Sequence, residues 1–149
     1  MRLLTPFFLA FLLCQCSFAQ FNQQLGDSVG ADEYGMKTYV MAFLKSGPNR
    51  DRTKEESAKL MRAHLDNIQR LADEGKLVMA GPFYDDEENT ELRGIYVFDV
   101  STLEEAKALT ETDPAIQAGS LVMELKRWYG SAAPLLLNPF YEKISKKKI

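Results

Sequence analysis

Three features of this sequence together predict an α+β fold of ferredoxin-like order βαββαβ, with a four-stranded antiparallel sheet and two helices on one face. Four short apolar runs with strand character lie at Lys37–Leu44, Leu77–Ala80, Arg93–Val100 and Leu121–Tyr129. Two helix-like segments start near Thr53 and Thr102. Turn and cap residues separate them in the order strand, helix, strand, strand, helix, strand.

Residues 1–19 are read as a secretory signal peptide rather than as part of the fold. Arg2 gives a positive start, Phe7–Leu13 is a short apolar run, and Ser17-Phe18-Ala19 is a small-x-small cleavage site. The run is well short of the roughly 20 residues that a membrane span needs. The mature protein is therefore expected to be secreted or periplasmic, with no membrane span. Lipid anchoring through Cys14 or Cys16 is the weaker alternative, because Leu13 and Gln15 stand where a lipoprotein signal wants a small residue. Cleavage after Ala19 removes both cysteines and leaves no disulfide, so the domain must hold together through its core and a partner chain.

About 130 of the 149 residues then remain, the size of one domain. The whole chain has 18 Lys plus Arg against 21 Asp plus Glu, and loss of Arg2 makes its net charge of −3 more negative by one. Such a chain is a poor match for nucleic acid, so no nucleic-acid partner is expected.

Residues 20–36 are polar, carry Gly26, Gly30 and Gly35, and read as a flexible leader. The strand from Lys37 ends at Ser46-Gly47-Pro48-Asn49. In the first helix Leu60, Met61, His64, Leu65, Ile68, Leu71 and Ala72 recur at three- and four-residue steps, with charged residues opposite. Thr53 and Glu56 form a capping box and Gly75 stops the helix. Leu77–Ala80 runs into the Gly81-Pro82-Phe83 turn, and Asp85–Glu91 is an acidic turn before the third strand. Ser101 or Thr102 caps the second helix, with Glu104 and Glu105 in its first turn. Asp113-Pro114 starts a further short turn, closed by Gly119 before the last strand. Residues 131–149 form a tail ending in a lysine run, read as solvated or, alternatively, as a contact for an anionic surface.

Both faces of the strands are apolar: Tyr39, Met41 and Phe43 alternate with Val40, Ala42 and Leu44, and Tyr96 and Phe98 with Ile95 and Val97. Two helices cover one face only. The other is expected to pack against a second copy, with ligand cavities at the margins, or to be covered by the leader or tail.

The chain resembles the YCII-related proteins, from about Tyr39 to Tyr129. The residues that carry the resemblance are His64, the Ala80-Gly81-Pro82-Phe83 turn, Leu103-Glu104-Glu105-Ala106, and Asp113-Pro114-Ala115-Ile116 followed by Ala118-Gly119. The resemblance implies residues 37–130 as the domain, a homodimeric αβ barrel, and His64 with Asp113 as the active-site pair. Some family members eliminate halide from chlorinated hydroxylated aromatics. The leader and the tail depart from the family pattern.

His64, the chain's one histidine, lies on the apolar stripe of its helix, a proton-exchanging group placed where water is scarce. It reads equally as a packed residue hydrogen-bonded to backbone and as a general base. Asp113 reads as an N-cap and as the partner of His64, and one carboxylate can serve both. Gly81, Pro82, Phe83, Tyr39 and Phe43 are the candidate pocket or turn residues. No metal-ligand cluster, phosphate loop or nucleotide fingerprint is found, so no metal and no cofactor is expected. The leading function is cofactor-free proton chemistry on a small aromatic or apolar substrate, by elimination, isomerisation or hydrolysis. The alternatives are a non-catalytic dimer that binds a small ligand, and a haem-binding protein as in other dimeric αβ barrels.

Overall fold

The computed structural model describes residues 21–84 and 91–147. The expected signal segment with Cys14 and Cys16, the acidic turn apart from Glu91, and Lys148 lie outside the described residues. The chain forms α1 (Gln23–Ser28), β1 (Met36–Ser46), α2 (Lys54–Asp73), β2 (Leu77–Pro82), β3 (Leu92–Phe98), α3 (Leu103–Thr110), α4 (Pro114–Gln117) and β4 (Leu121–Ser131). A helical run follows: α5 (Pro134–Leu137), a 3₁₀ turn (Asn138–Phe140) and α6 (Tyr141–Ile144). The strands make one antiparallel sheet in the order β2-β3-β1-β4, so the fold is the ferredoxin-like α+β arrangement expected.

Strand register separates the two faces. Val40 is paired with Phe98, Ala42 with Tyr96 and Leu77 with Phe98, so these side chains share one face. They bury against Leu71 of α2 and Ala106 of α3, with Leu121, Met123 and Leu125 of β4 packed at the side. The opposite face carries Tyr39, Met41, Phe43, Ile95 and Val97 and, on the flanking strands, the exposed Met79, Val122 and Trp128. Tyr39 is buried there, stacked on Trp128 at 5.7 Å, with its hydroxyl donating to the Ser131 carbonyl at 3.0 Å.

Helix boundaries follow side-chain chemistry. Capping boxes close α2 (Thr53 with Glu56) and α3 (Thr102 with Glu105). At the far end of α2, Gly75 takes φ 69°, and the Lys76 N–H bonds back to the Leu71 carbonyl. Gly47 is needed for a different reason. A Cβ there would run into the Gly119 carbonyl, where the loop after β1 crosses the turn before β4.

Three segments differ from the sequence expectation. The leader holds α1, because the Asn22 side chain caps it by accepting from the Leu25 N–H at 3.0 Å. It is also tied down at Asp32, which accepts from the Met36 N–H at 3.0 Å and from the Tyr129 hydroxyl. The tail is helical from Pro134 to Ile144. Gly81 and Pro82 pair with Ile95 and Gly94, so they are the last strand residues of β2 and not a turn beyond it.

Among the described residues, four carboxylates have folded-state pKa values below the ordinary range. Lys126 and Lys45 at 2.8 and 2.6 Å hold Glu124 down to about 2. The Tyr129 hydroxyl and Met36 N–H lower Asp32, and the capping threonines lower Glu56 and Glu105. Between pH about 4.5 and 2 the unfolded chain takes up protons that the folded chain refuses, so these groups stabilise the fold above that window and lose their contribution on descending through it. Thermal melts across this range are expected to show a falling midpoint, with a shallower fall in Glu124→Gln and in high salt. A midpoint that is flat on acidification would contradict the ion-pair geometry.

Candidate functional site

Three elements converge between the helix layer and the sheet. The inner line of α2 presents His64, Asn67 and Leu71, all buried and spaced three and four residues apart. Asp113 stands at the N-cap of α4, where proline at the first helical position leaves the Ala115 N–H as the donor to be satisfied. Asp113 Oδ1 accepts from it at 2.8 Å. Tyr96 reaches up from β3, its ring edge against Phe98 at 5.7 Å.

His64 Nδ1 lies 2.9 Å from Asp113 Oδ1 and 2.8 Å from Oδ2. An ionised carboxylate can only accept, so Nδ1 carries the proton and donates, which leaves Nε2 of the neutral ring as the basic nitrogen. The Tyr96 hydroxyl is 3.3 Å from that Nε2 and 3.5 Å from Asp113 Oδ2. Burial, and then the negative charge of Asp113, push the Tyr96 phenol up, so at working pH it is a hydroxyl able to donate. His64 is 8% exposed and Asp113 0%. In such a place each hydrogen bond orients strongly.

Surrounding contacts fix where Asp113 sits. The Thr112 hydroxyl donates to Asn67 Oδ1 at 3.1 Å, and Arg70 bridges both residues at 2.8 and 2.9 Å, tying the approach to α4 onto α2. At the other end of α4, Arg52 Nη2 donates to the Ala118 carbonyl at 2.6 Å and Nη1 to Ser120 Oγ at 3.2 Å. Asn67 Nδ2 is buried with no hydrogen-bond partner.

The structure brings together His64 and Asp113, the pair that the family resemblance implies, and adds Tyr96, in sequence only a strand aromatic. The other candidates lie elsewhere. Tyr39 and Phe43 are on the opposite sheet face, because they alternate with Val40 and Ala42 of the core face. Gly81 and Pro82 follow Ala80, the register partner of Tyr96, along the edge strand, and Phe83 is exposed beyond them. A cleft of about 470 Å³ lined by Asp51, Arg52, Glu56, Lys59, Leu60 and Ala63 opens beside the α2 N-terminus without including the three site residues. Among the described residues, no group of three or more His, Cys, Asp or Glu comes together that could hold a metal ion.

The model of the YCII-related domain matches residues 38–129, a span that contains all three site residues and the sheet apart from the first two residues of β1 and the last two of β4. The chain belongs to the YCII-related family. The chain is also similar to the uncharacterised protein YjpA of Bacillus subtilis (strain 168), 31% identical over 93 residues, which are 62% of this chain and 95% of YjpA. Among solved structures, this YCII-related chain is similar to the 5-chloro-2-hydroxyhydroquinone dehydrochlorinase TftG from Burkholderia phenoliruptrix AC1100, in complex with 2,5-dihydroxybenzoquinone. That likeness has a TM-score of 0.45 and 18% identity, and covers 62% of this chain and 93% of TftG.

Proposed function

We propose that this YCII-related protein is a cofactor-free enzyme in which His64 is the general base, Asp113 holds its tautomer, and a small aromatic or apolar substrate gives up a proton. The observation that carries the reading is the buried Nδ1–carboxylate contact at 2.8 Å, which leaves Nε2 with a hydroxyl donor beside it. In one step the substrate C–H or O–H loses a proton, the bonding pair stays on the substrate, and the proton goes to Nε2 directly or through Tyr96, whose own proton then moves to Nε2. Elimination and isomerisation begin this way, while in hydrolysis the proton passed to Nε2 is that of the attacking water; a positioned base typically supplies ~10²- to 10⁴-fold in rate. Export is part of the proposal and rests on Arg2, the Phe7–Leu13 run and Ser17-Phe18-Ala19. So is a homodimer through the sheet face that carries Met79, Val122 and Trp128, three exposed apolar residues on one surface.

A second reading is favoured by one fact: the 470 Å³ cleft does not reach His64. On that reading the pair is structural, and the dimer binds a small ligand without turnover. Of two measurements, the first tests the tautomer of the pair and the second separates the two readings. Imidazole ¹⁵N shifts of the single histidine are expected to show Nδ1 protonated and Nε2 bare, with mixed tautomers in Asp113→Asn, whose amide can donate as well as accept. Solvent-deuterium exchange into a panel of small hydroxylated aromatics and ketones is expected to fall ~10²-fold or more in His64→Gln. Exchange that is unchanged in His64→Gln would rule out the base.

A further inference from the structure

We propose that the segment 134–147 docks the protein on the surface of an anionic phospholipid bilayer. The helical run from Pro134 to Ile144 places Leu137, Phe140, Tyr141 and Ile144 at positions i, i+3, i+4 and i+7. Residues so spaced form one stripe along a helix. Their exposures are 66, 53, 47 and 80%, so nothing else in the described chain covers this stripe.

Charge identifies the occupant. Lys143, Lys146 and Lys147 are exposed alongside or just beyond the stripe, and Glu142 is the one acidic residue from 134 to 147 in a chain whose net charge is −3. Lys143 Nζ lies 4.9 Å above the Phe140 ring, its stem along the apolar residues and its charge at the rim. An apolar stripe edged with lysines matches the boundary between acyl chains and anionic headgroups, where neither feature alone binds stably. The segment is also an addition to the domain. The family match stops at Tyr129, and YjpA is covered to 95% by an alignment of 93 residues, so the domain fold does not call for it.

The test is cosedimentation of the full chain with phosphatidylcholine vesicles, with and without phosphatidylglycerol. Wild type is compared with Phe140→Ser/Ile144→Ser and with Lys143→Gln/Lys146→Gln/Lys147→Gln. Residues 1–19 are common to all three proteins, so any contribution of Phe7–Leu13 cancels in the comparison. Wild type is expected to prefer the anionic vesicles, with binding that weakens in salt. At about fivefold per lysine, the triple variant should partition roughly 100-fold more weakly, and the stripe variant should also lose binding. Equal binding by all three proteins, or no preference for phosphatidylglycerol, would overturn the proposal. So would light scattering that shows the stripe variant dissociating a dimer while vesicle binding is absent or unchanged, which would assign the stripe to a second copy of the chain.

Discussion

Asp113→Ala is expected to destabilise the protein by about 3 kcal/mol and to slow the proton exchange proposed for His64, though by no more than loss of the base itself. The carboxylate caps α4 through the Ala115 N–H, accepts from His64 Nδ1 and lies within reach of Tyr96, all out of water. Loss of the cap accounts for about 1 kcal/mol. Leaving the buried imidazole N–H without an acceptor adds about 1–3 kcal/mol. Asp113→Asn separates the two effects, since its Oδ1 can still cap α4 and its volume is unchanged. That variant should lose about 1 kcal/mol or less while keeping the activity defect, because an amide no longer dictates the tautomer of His64. Urea unfolding of both variants beside an activity assay checks this. Equal stability losses would mean that the cap contributes nothing.

Phe98→Ala should be the most damaging single change in the core, at about 3–5 kcal/mol. Phe98 is fully buried, pairs in register with Val40 on one side and Leu77 on the other, and walls Tyr96 at an interplanar angle of 86°. Its removal opens a cavity beneath the site and withdraws an edge-to-face aromatic contact. Phe98→Leu fills most of the same space and should lose no more than about 1.5 kcal/mol. Chemical denaturation midpoints with an unchanged slope would confirm that both variants act on stability and not on the denatured state. A Phe98→Ala midpoint close to wild type would show that neighbouring side chains collapse into the gap.

Much of this was legible because local chemistry decides it. The Thr53–Glu56 box, the Gly75 stop, the Asp113-Pro114 cap and the apolar stripe that turns His64 inward all depend on residues within a few positions of one another. The membership of the site beyond His64 and Asp113 was not legible. Alternation shows that Tyr39 and Tyr96 each take one face of a strand, but not which face the helices cover. Only the pairing of Ala42 with Tyr96 places that tyrosine under His64 and leaves Tyr39 against Trp128 on the far side. The aromaticity that makes Tyr39 and Phe43 pocket candidates carries no information about register. The short helix in the leader was missed because it buries no side chain and so has no apolar period, its only signal being the Asn22 cap.

His64 and Asp113 stand 49 positions apart along the chain. Bringing them together requires α2 to have docked, β3 to have taken its place beside β1 and α4 to have turned back, so the ordering entropy of that long loop is spent before the first hydrogen bond of the pair forms. Most of the stabilising sheet contacts are likewise between distant residues, a pattern that slows folding and makes it cooperative. A half-folded molecule therefore has capped helices but no paired histidine, and the imidazole meets its carboxylate only in chains that have finished folding.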